Sequence, residues 1–366
     1  MLCRSRFQIW LVGVVAISVV GGTAAFVPST TTKATTASRT NKHEETMLPM
    51  GFFDELLTKN PVADALNTQK RPKVEVPENF EAPEPKPLTI TASTDLVEFA
   101  KSTLALALRL GTGAFTLGWK IDDIFYDAPP GKYSLKLGPF SIRDSSTVLS
   151  EAPRPAQPLI LYEYDASPYC KRVREMINLL DLTVEYRPCP GARQGSFSQE
   201  MLQRTGRQTI PFLIDPNTGK EMFESSDIIE YLLNTYGPSP DKFDRKALWP
   251  ITFEAFAIAT ATQVAILRNM PGARRQVNAR PDNEQMIPLE LWGYECSPFV
   301  RPVREKLGGL CLPHVMVSCP RGSANRDKLV ERTGRFQVPY LVDPNTGIEM
   351  FEGAEIVDYL EKVYTI

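Results

Sequence analysis

Histidine is almost missing from this chain: His43 and His314 are the two in 366 residues. That excludes a histidine-activated hydrolase and a histidine-rich metal site, and no metal is expected. An excess of one charge is missing as well. The 41 Lys and Arg against 43 Asp and Glu leave a net charge of −2, without the basic footprint that nucleic-acid binding requires. The apolar run from Phe7 to Val20, interrupted by Gln8 and Ser18, is shorter than the ~20 residues of a membrane span. Proline, by contrast, is plentiful at 31, and it gathers in 61–87 and 128–158, where it marks extended linkers.

The first 25 residues read as a signal peptide: Arg4 and Arg6, an apolar stretch, then the small residues Thr23, Ala24 and Ala25 before the cut. Residues 26–50 are Ser/Thr-rich and basic, with no acid before Glu44, a transit-segment composition. Together, with Phe26 just past the cut, they resemble the bipartite plastid-targeting leader of algae with secondary plastids. The expected location is therefore the plastid stroma, with secretion as the alternative. Of the six cysteines Cys3 departs with the leader, and in a stroma the remaining five would stay mostly reduced.

Residues 51–87 read as a linker, with a short amphipathic helix over 51–60 that Pro61 would stop. Region 88–150 carries a helix from about 94 and a small hairpin over 121–150. The helical stretch 94–118 is apolar, but Glu98, Lys101 and Arg109 argue against a span. Two readings stand: packing against the rest of the protein, or peripheral contact with a membrane or a protein partner.

The dominant signal is a duplication. Residues 205–224 (TGRQTIPFLIDPNTGKEMFE) recur as 333–352 (TGRFQVPYLVDPNTGIEMFE), identical at fourteen of twenty positions. The offset is 128 (339 − 211 = 128). Each copy reads as strand, turn, strand, helix. Ahead of each stands a strand, helix, strand, helix pattern, which gives two α/β units, 158–236 and 287–366, with a mixed sheet and helices on both faces. Segment 237–286 is a helical linker with one strong helix, Ile251 to Leu267.

Chemistry is expected where the first strand meets the first helix, because free N–H groups and the helix dipole stabilise an anion there. The string at that point is Ser167-Pro168-Tyr169-Cys170. With Thr209-Ile210-Pro211 and Glu224-Ser225 in order behind it, the chain resembles the tandem glutathione S-transferase N-terminal-domain, glutaredoxin-like proteins of chloroplasts. The resemblance implies the thioredoxin fold, a cis-proline at Pro211 and Pro339, and glutathione as ligand or cosubstrate. It implies catalytic roles for Ser167 and Cys170, and glutathione contacts from Tyr169, Ile210, Pro211, Glu224 and Ser225. Serine stands where glutaredoxins carry the nucleophilic cysteine, so dithiol exchange through this motif is not possible. Alternatives at these positions are a plain helix cap for Ser167 and a small core residue for Cys170.

In the second unit Ser297 aligns with Ser167, Val300 with Cys170 and Gly353 with Ser225, so its pocket is expected to be degenerate. The chain is too short for the helical half of a full transferase. The reading is a plastid glutathione-binding protein with a thiol-linked role in the first unit. The alternative is a non-catalytic scaffold in which the two units pack on each other.

Overall fold

The computed structural model describes residues 74–78, 80–86, 96–126, 130–137, 139–281 and 286–366. The leader, the helix over 51–60 and most of the linker that follows lie outside the described residues.

Helix α1 (Leu96–Leu108) is followed by strands β1 (Trp119–Phe125), β2 (Leu135–Leu137) and β3 (Phe140–Ser146). The expected hairpin over 121–150 is instead a three-stranded antiparallel sheet in the order β1-β3-β2. Its first strand starts at Trp119, and a register shift between Ile121 and Asp123 breaks the alternation a hairpin reading relies on. The sheet docks through Tyr133, whose ring lies 4.7 Å from Phe336 with the Arg326 guanidinium above both.

The first unit runs β4 (Leu159–Glu163), α2 (Pro168–Leu179), β5 (Val184–Pro188), α3 (Ser196–Thr205), β6 (Phe212–Asp215), β7 (Lys220–Met222), α4 (Ser225–Tyr236). Two linker helices follow, α5 (Trp249–Thr252) and α6 (Glu254–Leu267). The single helix expected over 251–267 is thus broken, with a 46° bend. The cause is at hand: buried Arg172 takes the carbonyls of Ile251 and Thr252 at 3.1 and 3.4 Å, which frees Phe253 to leave the helical path. The second unit repeats the order as β8 (Leu289–Gly293), α7 (Val300–Gly309), β9 (His314–Ser318), α8 (Asn325–Thr333), β10 (Tyr340–Asp343), β11 (Ile348–Phe351) and α9 (Gly353–Val363).

The two units share one eight-stranded sheet, β11-β10-β8-β9-β5-β4-β6-β7. Within each unit the first two strands are parallel and the rest antiparallel. The units meet edge to edge where β5 pairs antiparallel with β9: Val184 with Met316, Glu185 with Val315, Tyr186 with His314. Two edges that would be open in separate units satisfy each other. Glu185 faces Val315, its own counterpart at the offset of 130 that relates the front halves of the units (304 − 174 = 130), so a pseudo-twofold axis passes here. One apolar core runs across the junction, from Leu159, Leu161 and Met176 to Leu289, Leu291 and Val303.

The identity of the Asp-Pro-Asn-Thr-Gly turns has a structural cause. Asp215 accepts from Tyr231 and Tyr236 at 2.6 Å each and from the Asn217 backbone at 2.8 Å. Asn217 clamps the backbone of Gln157, at the entry to β4. Asp343, Tyr359, Tyr364 and Asn345 repeat the set, with Ile287 clamped.

The duplication also reaches further back than the motif comparison extends. Helices α1 and α6 are counterparts at an offset of 159 (268 − 109 = 159). Arg109 donates from its backbone to Ala105 and Arg268 to Val264; Gly111 donates to Leu106 and Met270 to Ala265; Leu117 donates to Leu179 and Gln276 to Gly309. The left-handed residues match as well: Leu110, Gly111 and Gly113 against Asn269, Met270 and Gly272. The β1–β3 sheet is what the first copy adds between its leading helix and β4. Helix α1 packs on α6, with Ala105 and Leu106 buried. Among the described residues no single helix is long and apolar enough to cross a membrane.

Candidate functional site

The first unit carries a small open cleft of about 30 Å³ lined by Tyr169, Thr209, Ile210, Pro211, Phe223, Glu224 and Ser225. Five of these are residues singled out from the sequence. They converge because the turn into β6, the exit of β7 and the start of α2 all end at one edge of the sheet. Both Ile210–Pro211 and Val338–Pro339 are cis. Glu224 holds φ 67° and ψ 113°, and Glu352 holds φ 71° and ψ 108°. A left-handed non-glycine residue of this kind costs about 1–3 kcal/mol and concentrates at binding sites.

Beneath Ser225 lies a residue that sequence reasoning missed. Arg172 is 1% exposed. Its guanidinium donates to the hydroxyls of Ser225 and Ser226, 3.1 Å each, and pairs with Glu254 at 3.4 Å. The first N–H groups of α4 have no partner within the helix. Two hydroxyls, a helix N-terminus and a buried cation therefore stand together, a setting that receives a carboxylate. Glu224 at the same rim supplies an acceptor for an amine. The signal for Arg172 was the basic run Lys171-Arg172-Val173-Arg174 on an otherwise apolar helix. Phe223, also missed, and Thr209, quoted in the motif without a role, flank residues that were named.

Ser167 and Cys170 are not in the cleft lining. Ser167 is 3% exposed and caps α2, its hydroxyl accepting from the Cys170 backbone at 3.3 Å. Cys170 is fully buried, and burial, with the nearby Glu163 carboxylate, pushes its thiol up to about 12. The loop after α6 covers this point: the Ala166 backbone donates to the Pro271 carbonyl at 2.9 Å. In the second unit Cys296 lies in the loop before α7, under Leu106 and Ala114, with its thiol likewise raised to about 12 by burial. A Cβ on Gly353, the counterpart of Ser225, would stand 2.6 Å from the Phe299 carbonyl oxygen, so that position admits no side chain without backbone movement.

Between the two helix starts lies a buried ionic cluster obeying the pseudo-twofold. Arg174 binds Glu163 and Asp165 of its own unit and reaches across to Glu295 at 3.2 Å. Arg304 binds Glu295 of its own unit and reaches across to Asp165 at 2.8 Å. Lys171 adds a 3.0 Å contact to Glu295. The leading helices supply matching outer pairs, Arg109 with Glu175 and Arg268 with Glu305. Desolvation opposes the charge on Glu295 and Asp165. The cations still win at Glu295, whose carboxyl is held at about 2 by Arg304, Arg174 and Lys171, and at Asp165, held well below its ordinary range by Arg304 and Arg174.

The family described as glutathione S-transferase, N-terminal domain, matches residues 161–240 and again 291–365. The chain carries two tandem glutathione S-transferase N-terminal domains of thioredoxin-like fold. A Bombyx mori glutathione transferase, BmGSTD1, in complex with GTT is similar at 25% identity over 27% of this chain and 45% of its own, with a TM-score of 0.21. Another BmGSTD1 structure gives 28% identity, 24% and 40% coverage, and a TM-score of 0.21. The chain thus spans less than half the length of either transferase. No curated protein matches it. Among the described residues no group of His, Cys, Asp and Glu is placed to hold a metal ion.

Proposed function

We propose that the first glutathione S-transferase-type unit binds glutathione, its γ-glutamyl carboxylate at Ser225, Ser226 and the N-terminus of α4 over Arg172. Its amine would face Glu224, and its cysteinyl backbone Ile210 and Pro211, with Tyr169 along the side. The observation that carries this reading is the convergence of Glu224, Ser225 and buried Arg172 at one open rim. At about 30 Å³ the cleft is far smaller than the about 300–1,000 Å³ of full ligand pockets, so most of the tripeptide would lie outside it and binding would be weak.

Thiol chemistry, if the site performs any, would run on the ligand's own sulfur. The sealed thiol of Cys170 supports a binding or sensing role rather than a cysteine nucleophile. Ser167 would act from beneath the site as a cap. The second unit, lacking the counterparts of Ser225 and Arg172, reads as degenerate for this ligand. The leader composition supports a plastid location. A second reading, a non-catalytic scaffold, is favoured by the fused sheet and shared charge cluster, which make the two units one body.

Ligand binding to the folded state raises the melting temperature by mass action. Reduced glutathione at ten millimolar is expected to raise it for the full chain and not for Arg172→Met. An equal rise in both would remove the carboxylate assignment, and no rise in either would remove the proposal.

A further inference from the structure

The second unit's cleft is covered by the chain itself. Gln337 is the counterpart of Thr209, Glu352 of Glu224 and Arg335 of Arg207 at the offset of 128, and residues 80–86 lie over them. The Phe80 ring sits 5.2 Å from Tyr359 and packs against the core. The Lys86 backbone N–H donates to Glu352 Oε1 at 2.7 Å, and Gln337 Nε2 donates to the same oxygen at 2.7 Å. Lys86 Nζ donates to Glu355 Oε1 at 3.0 Å. Arg335 Nη1 reaches the Pro85 carbonyl at 3.5 Å. In the first unit the rim around Glu224 is open.

The chemistry of the second cleft has changed in the same direction. Ser225, Ser226 and Arg172 are replaced by Gly353, Ala354 and Pro302, so the two hydroxyls and the buried cation that would receive a carboxylate are gone. Glu352 and Glu355 remain, and they call for a donor and a cation. Such a site suits the interior of a peptide rather than a small molecule with a free acid. Pro83 and Pro85 hold the segment extended before it docks, which lowers the ordering cost.

We propose that the second unit's cleft is a recognition site for an extended peptide carrying a proline-lysine pair, occupied in cis by residues 80–86. Glu352 takes the lysine backbone N–H and Glu355 its ammonium. Arg335 takes the preceding proline carbonyl, and Tyr359 the aromatic ring six residues upstream of the lysine. The exposed Lys86–Glu355 pair holds weakly, so the segment is displaceable. Its tether supplies an effective concentration in the millimolar range, so the intact chain resists a competing peptide. This inference does not depend on what the first cleft binds.

The test is fluorescence anisotropy of a labelled peptide with the sequence of residues 78–88, titrated with the full chain and with the full chain carrying Phe80→Ala and Lys86→Glu. Saturable binding is expected to the variant, at least tenfold tighter than to the unaltered chain. Adding Glu352→Gln to the variant should weaken it at least fivefold, and excess reduced glutathione should leave the peptide bound. Equal binding to both chains, absence of binding to a variant whose melting temperature is unchanged, indifference to Glu352→Gln, or displacement by glutathione would each overturn the proposal.

Discussion

Glu295→Gln is the sharpest perturbation of the junction between the units. Glu295 is 4% exposed and accepts from Lys171 at 3.0 Å, from Arg174 at 3.2 Å and from Arg304. The amide keeps the shape and removes the charge, leaving Arg174 and Arg304 to share Glu163 and Asp165 and Lys171 with only Glu175 at 3.7 Å. A buried ion pair need not outdo an apolar replacement, but stripping one partner leaves uncompensated charge and costs about 3–5 kcal/mol. That is a large part of the about 5–15 kcal/mol of a whole domain. With a urea m-value near the top of the about 1–3 kcal/mol/M range, the midpoint should fall by about 1–2 M with m unchanged. Asp165→Asn, its pseudo-twofold mate, should cost a similar amount. The double variant should cost clearly less than the sum, since the two carboxylates share Arg174 and Arg304. One cooperative transition is expected throughout, because the sheet and core are continuous. A loss under about 1 kcal/mol, additive costs, or separate melting of the second unit would refute the view that this cluster locks the two units together.

Two further outcomes follow from titrating groups. Burial raises the Asp181 carboxyl to about 6 and lowers the His314 imidazole to about 4. Between pH 4 and 6 folded Asp181 keeps a proton that the unfolded chain loses, so its contribution makes stability fall as pH rises. Folded His314 stays neutral where the unfolded ring is charged, so its contribution makes stability rise between pH 4 and 6.5. The two slopes, each up to about 1.4 kcal/mol per pH unit, oppose each other. Measured against the unaltered chain over that window, the urea midpoint of Asp181→Asn should climb with pH and that of His314→Gln should fall. Separately, the five described cysteines are all buried. With Cys170 near 12, about one molecule in ten thousand carries its thiolate at pH 8. Native alkylation of Cys170, followed by mass spectrometry, should therefore be slower than in urea by at least a hundredfold; prompt native labelling would show that the site opens.

Much of the fold could be read from the sequence because its signals were local. The duplicated stretch carries its own turn, cap and strand chemistry, and Asp215, Asn217 and Tyr236 explain why those letters recur. The lining of the candidate cleft was legible at its rim, where Glu224, Ser225 and Ile210-Pro211 are neighbours in sequence or follow one pattern. Depth was not legible. Ser167 and Cys170 are buried, and Pro271 and Gly272, more than a hundred residues away, pack on Asp165 and Ala166 just before them, a contact no periodicity reports. Arg172 was missed because a basic residue on an apolar helix reads as exposed until its partners on α4 and α5 are placed. The kinship of α1 and α6 was hidden because the two keep a backbone path and an arginine rather than a sequence. The junction through β5 and β9 left no mark, since any buried strand edge looks the same in one dimension.

The central claim is one live glutathione site per chain, in the first unit. Isothermal titration of reduced glutathione into residues 51–366 tests it most directly. The account predicts saturable binding with a stoichiometry of one and a dissociation constant of about a millimolar, near −4 kcal/mol. Ser225→Ala should weaken it by about three- to tenfold, the worth of one hydrogen bond at about 0.5–1.5 kcal/mol. No heat at millimolar glutathione, two sites per chain, or indifference to Ser225→Ala would contradict it.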